Sequence, residues 1–153
     1  MDALIAKRLR ELRKQRELSL DQLAEVSGVS RSMISLIERE KSSPTAVVLN
    51  KLADALGVSM AALFADEAQE AAHALARYAE QSVWIDPASG SVRRHVSPTA
   101  RALPVELVEV TFPPGARVVF DNLLRQVEIQ QQIWLLEGEM QISLGEQSWQ
   151  LQR

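Results

Sequence analysis

The apolar residues of the first 65 positions recur at helical spacing, with short polar breaks between the runs. Ile5, Leu9 and Leu12 share one face of a helix that we predict over about residues 4–16. A second apolar stripe predicts a helix from Thr45 to Leu56, and a short helix follows from Ser59 to about Phe64. With two further helices between residues 19 and 39, this part of the chain is predicted to contain five short helices.

The two helices between residues 19 and 39 carry clear start and stop signals. Ser19 and Gln22 have the Ser-x-x-Gln spacing of a capping box, in which each side chain satisfies a free backbone amide. Gly28 lies where the chain must reverse, because glycine adopts positive φ without a Cβ penalty. Ser30 can cap the next helix, whose Ile34 and Ile37 face inward. The polar side chains of this helix are therefore predicted to face outward.

Beyond residue 82 the period of the pattern changes from helical to two, which is typical of strands. The alternating apolar positions are Val108, Val110, Phe112, Met140, Ile142, Leu144, Trp149 and Leu151. Residues 66–82, rich in alanine and opening with acidic side chains, predict a connecting helix. The fold class is thus α+β, with a helical domain at 1–65, a linker at 66–82 and a small antiparallel β domain at 83–153.

Composition and charge restrict the class of protein further. The 153 residues include no cysteine, so neither a disulfide framework nor a thiolate metal site is available. The net charge of −3 divides unevenly, +2 over residues 1–65 and −5 over the rest, an asymmetry too small to identify a function by itself. With no apolar run of membrane-spanning length and no signal peptide, we expect a cytoplasmic protein that does not bind membranes.

The stretch from about Ile5 to Phe64 resembles the helix-turn-helix domain of phage-repressor-like regulators, the XRE or Cro/cI type. The residues that carry the resemblance are Leu23-Ala24, Gly28-Val29-Ser30, Ile34, Ile37-Glu38-Arg39, Pro44-Thr45 and the run from Leu52 to Val58. In this family the third helix enters the major groove, while neighbouring helix ends and loops hold phosphates. The resemblance therefore implies double-stranded DNA, an operator, as the partner.

Carried over by position, the resemblance assigns two sets of DNA contacts. The expected base-contacting residues are Arg31, Ser32, Ser35 and Leu36. The expected phosphate-contacting residues are Gln22, Arg39, Lys41, Ser42, Ser43 and Thr45. Arginine can donate two hydrogen bonds to guanine, and leucine can pack on a thymine methyl group. The alternative is that these side chains are ordinary solvated residues of a helix face and a polar loop.

Two further positions have structural interpretations. Arg13 and Glu38 match a family ion pair that connects the first helix to the end of the third, so we expect them to support the fold and not to bind a ligand. Glu40 departs from the family, which commonly has glycine there. Either the third helix ends differently, or Glu40 adopts an unfavourable backbone region. In both cases its negative charge near the phosphates is expected to weaken DNA binding.

The second half resembles the beginning of a cupin barrel. The residues that carry this resemblance are the Pro114-Gly115-Ala116-Arg117 turn and the segment from Ile133 to Met140. Metal-binding cupins have a glutamate where this chain has Gln131 and histidines where it has Arg125 to Val127. We therefore expect no metal and no cofactor, since neither His95 nor His73 has companion ligands. Because the remaining barrel strands would follow Arg153, the barrel is expected to be incomplete, as a fragment or as a sheet completed by another chain.

These observations predict a DNA-binding transcriptional regulator, not an enzyme, that acts as a homodimer on a two-fold related operator. The cupin-like part would bind a small-molecule effector or mediate dimerisation. Two alternatives stay open: an antitoxin or adaptor that uses its β edge to bind proteins, and a metal-independent cupin enzyme. The enzyme would need a convergent set of catalytic side chains, and the sequence shows none.

Overall fold

The computed structural model of the protein describes residues 1–65, 75–98, 105–120 and 130–153. Four α-helices come first: α1 (Asp2–Gln15), α2 (Leu20–Ser27), α3 (Arg31–Glu38) and α4 (Ala46–Leu56). Five strands follow: β1 (Val83–Ile85), β2 (Val92–His95), β3 (Val108–Thr111), β4 (Glu139–Leu144) and β5 (Gln147–Gln152). The chain is thus α+β, as predicted. No helix in the described ranges is both long and apolar enough to cross a membrane.

The helix boundaries follow the local signals in the sequence. The Ser19–Gln22 capping box forms at the start of α2, and Gly28 ends that helix in the left-handed region at φ 66°. Ser30 accepts the amide hydrogen of Met33 and caps α3, while Thr45 accepts that of Val48 and caps α4. Helix α4 therefore begins one residue later than predicted, because Thr45 itself is the extended cap.

One apolar core joins all four helices. Its fully buried members include Ile5, Leu9, Leu23, Ile34, Ile37, Leu49, Leu52, Leu56, Leu63 and Phe64. These are the inward-facing positions of the helical pattern, so the amphipathic spacing located the core correctly.

Two helix predictions need correction. The fifth helix of the domain, Met60–Phe64, is a single 3₁₀ segment capped by Ser59, and not an α-helix.

The connecting helix predicted at 66–82 does not extend through residues 75–82. Only Tyr78–Glu80 forms a 3₁₀ turn there, between the extended Arg77 and Gln81, because the chain must straighten to enter β1. The rest of that prediction, including His73, lies outside the described residues.

The strands form two separate antiparallel sheets. Strands β1, β2 and β3 pair in that order, and β4 pairs with β5. In the register of the second sheet, Met140 faces Leu151 and Ile142 faces Trp149, whereas Gln141 faces Gln150. One face of this hairpin is therefore apolar and the other polar, as the alternating pattern predicted.

The first sheet packs directly on the helical domain. Trp84 of β1 and His95 of β2 are buried, and both rings contact Phe64 at the end of the helical core. Trp84 pairs with Arg93 in the register, so the packed face also carries the half-buried Arg93. Neither the strands β1 and β2 nor this contact was predicted from the sequence.

Candidate nucleic-acid interface

The amino-terminal turn of α3 lies exposed beside the start of α2. Ser30 fixes this end of the helix, since its Oγ accepts the Met33 amide hydrogen at 3.2 Å. Arg31 and Ser32 follow in the first turn, and both are exposed. The capped helix end thus presents polar side chains to solvent, a geometry that suits insertion into a groove.

Arg31 is held at the surface by a carboxylate of the neighbouring helix. Its Nε lies 3.1 Å from Oδ1 of Asp21, and the two side chains are 61% and 76% exposed. An ion pair this exposed contributes little to stability. The closest atoms of this pair are Nε and Oδ1, and a guanidinium carries further donors on its two Nη groups for the paired acceptors of a base edge.

The other three expected base-contacting residues share the outer side of α3. The Oγ atoms of Ser32 and Ser30 lie 3.1 Å apart in one hydrogen bond. Ser35 is half-buried one turn on, and Leu36 is 36% exposed. The four residues therefore form one continuous polar and apolar strip along a single helix.

Of the six residues expected to contact phosphate, Gln22 lies at the start of α2 and the other five lie at or after the end of α3. The backbone amide of Ser19 donates to Oε1 of Gln22 at 2.8 Å, which completes the capping box. Arg39 folds back along α3, with its Nε donating to the Ser35 carbonyl at 3.1 Å. Lys41 is exposed. These positions border the α3 strip on two sides.

The remaining three residues expected to contact phosphate all carry a hydroxyl group and lie in the segment between α3 and α4. The Ser42 hydroxyl donates to the Met33 sulfur at 3.8 Å. The Ser43 hydroxyl donates to the carboxylate of Asp2, so it is not free to donate to a phosphate in this arrangement. Thr45 Oγ1 accepts the Val48 amide hydrogen at 3.3 Å, which leaves its own hydrogen available as a donor.

Arg13 and Glu38 are in contact, as expected from the sequence. Arg13 Nε donates to Glu38 Oε1 at 2.6 Å, and Nη2 donates to Oε2 at 2.9 Å. Hydrogen bonding to Glu38 is the main cause that raises the pKa of Arg13. The Nη2 group of Arg10 also donates a hydrogen bond to the backbone carbonyl of Glu38. The buried carboxylate thus joins α1 to the last residue of α3 and orients the helix that carries the polar strip.

Glu40 adopts the left-handed region, with φ 59°. The second of the two alternatives for this position therefore holds. The Lys41 amide donates to the Leu36 carbonyl at 2.9 Å and the Glu40 amide to that of Ile37 at 3.0 Å, the bond pattern of a helix ending that usually has glycine. The exposed Glu40 side chain adds a negative charge beside Lys41.

No group of three or more His, Cys, Asp or Glu side chains able to hold a metal ion is found in the parts of the chain that the structure describes. His95 lies in the apolar contact with Phe64 and not in an open site. Arg125 to Val127, where cupin histidines would stand, lie outside the described residues. Gln131 is exposed.

Four packed helices, a tight turn at Gly28 and an exposed capped third helix define a helix-turn-helix fold. Residues 9–63 match the helix-turn-helix family model HTH_3. The HTH-type transcriptional regulator SutR of Escherichia coli (strain K12) is 52% identical over 50 residues, which are 33% of this chain and 28% of SutR. The uncharacterized HTH-type transcriptional regulator y4dJ of Sinorhizobium fredii (strain NBRC 101917 / NGR234) is 36% identical over 59 residues, 39% of this chain and 77% of y4dJ.

Among solved structures, an HTH_3 family transcriptional regulator from Vibrio cholerae is similar over 99% of this chain and 80% of its own. Its TM-score is 0.58 and its sequence identity 28%. The chain belongs to the XRE-type helix-turn-helix family. It spans less than a third of the length of SutR.

Proposed function

We propose that this protein is a sequence-specific DNA-binding transcriptional regulator that inserts α3 into the major groove. The exposed first turn of α3, with Arg31 and Ser32 beside the α2 start, is the observation that carries the proposal. Arg31 donates to a guanine edge, Ser32 and Ser35 bond to neighbouring base edges, and Leu36 packs on a thymine methyl group.

The phosphate contacts flank this strip and set the register on the duplex. Gln22 contributes from the α2 start, and Arg39, Lys41, Ser42 and Thr45 contribute from the segment after α3. Ser43 joins them once its hydroxyl leaves Asp2. The Arg13–Glu38 pair supports the arrangement from inside and contacts no DNA.

The remaining part of the chain is proposed to be a cupin-like region that binds a small effector or mediates homodimerisation on a two-fold operator. Large apolar side chains of the β4–β5 hairpin and the preceding segment support a pairing role, because Trp134, Leu144 and Trp149 are 79%, 67% and 47% exposed. An effector would act by favouring one arrangement of two helical domains over another.

Selection of binding sites from genomic DNA fragments by the purified full chain tests this proposal. We expect a two-fold symmetric motif to be enriched, and the Arg31→Ala variant to lose preference at one base pair in each half-site. Lys7, exposed on α1, offers a control for the removal of one positive charge, since Lys7→Ala should return the wild-type motif. Failure of the wild-type chain to enrich any sequence would instead favour the antitoxin or adaptor alternative.

A further inference from the structure

Asp86 lies at the end of β1, yet its carboxylate is part of the start of α4. Its Oδ1 accepts the backbone amide hydrogen of Ala46 at 3.0 Å, across 40 residues of sequence. Ala46 is the first residue of α4 and is 5% exposed. The first amides of a helix have no partner within the helix, so the sheet provides an acceptor that the helical domain lacks.

Two acceptors at this helix end each take one of the free amides. Thr45 Oγ1 takes the Val48 amide, and Asp86 takes that of Ala46. A carboxylate is also the group that the positive end of the helix dipole favours. The residues immediately before Ala46 are Lys41 to Thr45, which form the proposed phosphate-contacting segment.

Asp86 itself is rigidly placed. It is 2% exposed and accepts hydrogen bonds from the Ala88 amide at 3.3 Å and the Ser89 amide at 3.1 Å. These bonds form the turn between β1 and β2. Two residues earlier on the same face, Trp84 packs on Phe64 with 5.8 Å between ring centroids. The turn and the packed strand together therefore hold the Asp86 carboxylate beside the start of α4.

We propose that Asp86 is a positioning residue for DNA binding, which fixes the start of α4 and with it the Lys41–Thr45 segment. This hydrogen bond thereby links the position of the first sheet to the proposed DNA-contacting surface. The inference rests on the proposed function, because it takes that segment to hold phosphates.

Two full-length variants break this bond from opposite sides. Asp86→Ala removes the acceptor. Ala46→Pro removes the donor at a helix position that favours proline, and the extended backbone of Thr45, with φ −81° and ψ 164°, is the conformation that a following proline requires. Ser91→Ala is the matched control, because it perturbs the same turn at a hydroxyl that bonds the Ser89 hydroxyl and not the Asp86 carboxylate.

DNA affinity would be measured as a function of salt, at a temperature where circular dichroism shows each variant folded. We expect Asp86→Ala and Ala46→Pro each to weaken binding about tenfold, with a salt slope shallower by about 1 for each phosphate that the variant no longer binds. The double variant should bind no more weakly than either single variant, because both remove the same bond. Ser91→Ala should stay within about twofold of wild type.

The outcomes separate this inference from the proposed function. If the wild-type chain binds DNA in a Lys41-dependent manner but folded Ala46→Pro keeps its affinity and salt slope, the role of Asp86 is overturned alone. That variant decides the question even where Asp86→Ala does not fold. If the wild-type chain selects no DNA, the proposed function and this inference are overturned together.

Discussion

The imidazole of His95 lies against the ring of Phe64, with 4.4 Å between the ring centroids and 39° between their planes. This contact buries the histidine between the first sheet and the helical core. Its Nε2 has no hydrogen-bond partner in the part of the chain that the structure describes. Burial, with the positive charge of Arg93 as the smaller contribution, lowers the pKa of His95 from 6.5 to about 4.

This shift predicts loss of stability in mild acid. The unfolded chain binds a proton at His95 below about pH 6.5 while the folded chain resists it until about pH 4, so the free energy of unfolding falls as the pH drops through this interval. The expected decrease is about 3 kcal/mol between pH 7 and pH 4. Urea unfolding across this range measures it.

The control is His95→Phe, which keeps a ring against Phe64 and removes the titrating group. Its stability should be nearly flat over the interval. Burial raises the pKa of Asp86, but hydrogen bonds from Ser89, Ala46 and Ala88 outweigh this effect, so that the pKa is lowered overall. In wild type and in His95→Phe alike, the stability that the Asp86 carboxylate contributes is lost only as the pH falls below the interval in which His95 titrates. Equal pH slopes for wild type and variant would contradict the prediction.

Arg13→Ala should destabilise the protein by about 3 kcal/mol, because it leaves the buried Glu38 carboxylate without its two-bond partner. Lys7→Ala is the matched control on the same helix. Lys7 reaches Glu11 at 3.9 Å with its side chain 57% exposed, and its removal should change the free energy of unfolding by less than about 0.5 kcal/mol. Urea unfolding at pH 7 compares the two; similar effects would show that the Arg13–Glu38 pair has no special role.

Glu40→Gly should raise the free energy of unfolding by about 0.5–1 kcal/mol, because glycine occupies the left-handed region without a Cβ penalty. Glu40→Gln retains the strain and should leave stability nearly unchanged. Thermal unfolding of the three chains tests the difference. Both variants remove the negative charge, so both should bind DNA more tightly than wild type; an increase confined to the glycine variant would assign the effect to backbone geometry.

The affinity for DNA should depend steeply on salt. Contacts to several phosphates in each of two helical domains predict a slope of log affinity against log salt of roughly −4 to −8. Lys41→Ala should make the slope shallower and weaken all sequences alike, whereas Arg31→Ala should weaken mainly the preferred sequence. Fluorescence anisotropy with specific and random duplexes over a series of salt concentrations measures both. A slope near zero for the wild-type chain would contradict the proposed phosphate contacts.

The helical domain could be predicted from sequence because its determinants are local. Ser19 with Gln22, Gly28 and Thr45 each act within a few residues, and the apolar spacing identifies the core independently of topology. The contact between the first sheet and the helical domain could not be predicted in this way, since Asp86 and Ala46 are distant in sequence and come together only in the folded chain. Strand β2 also carries two arginines and a histidine in four positions, which obscures its alternating pattern. The turn residues Asp86, Pro87, Ser89 and Gly90 were the available signal for β1 and β2.

The capping box at the start of α2 has a consequence for how Gln22 can meet a ligand. A backbone amide can only donate, so the bond from the Ser19 amide fixes the carbonyl oxygen of the Gln22 side chain inward and leaves its NH₂ group pointing away. Gln22 therefore offers only donors to the outside. Glutamate at this position would preserve the box equally well yet present an oxygen that repels phosphate, so helix stability and DNA affinity are independently adjustable at a single residue.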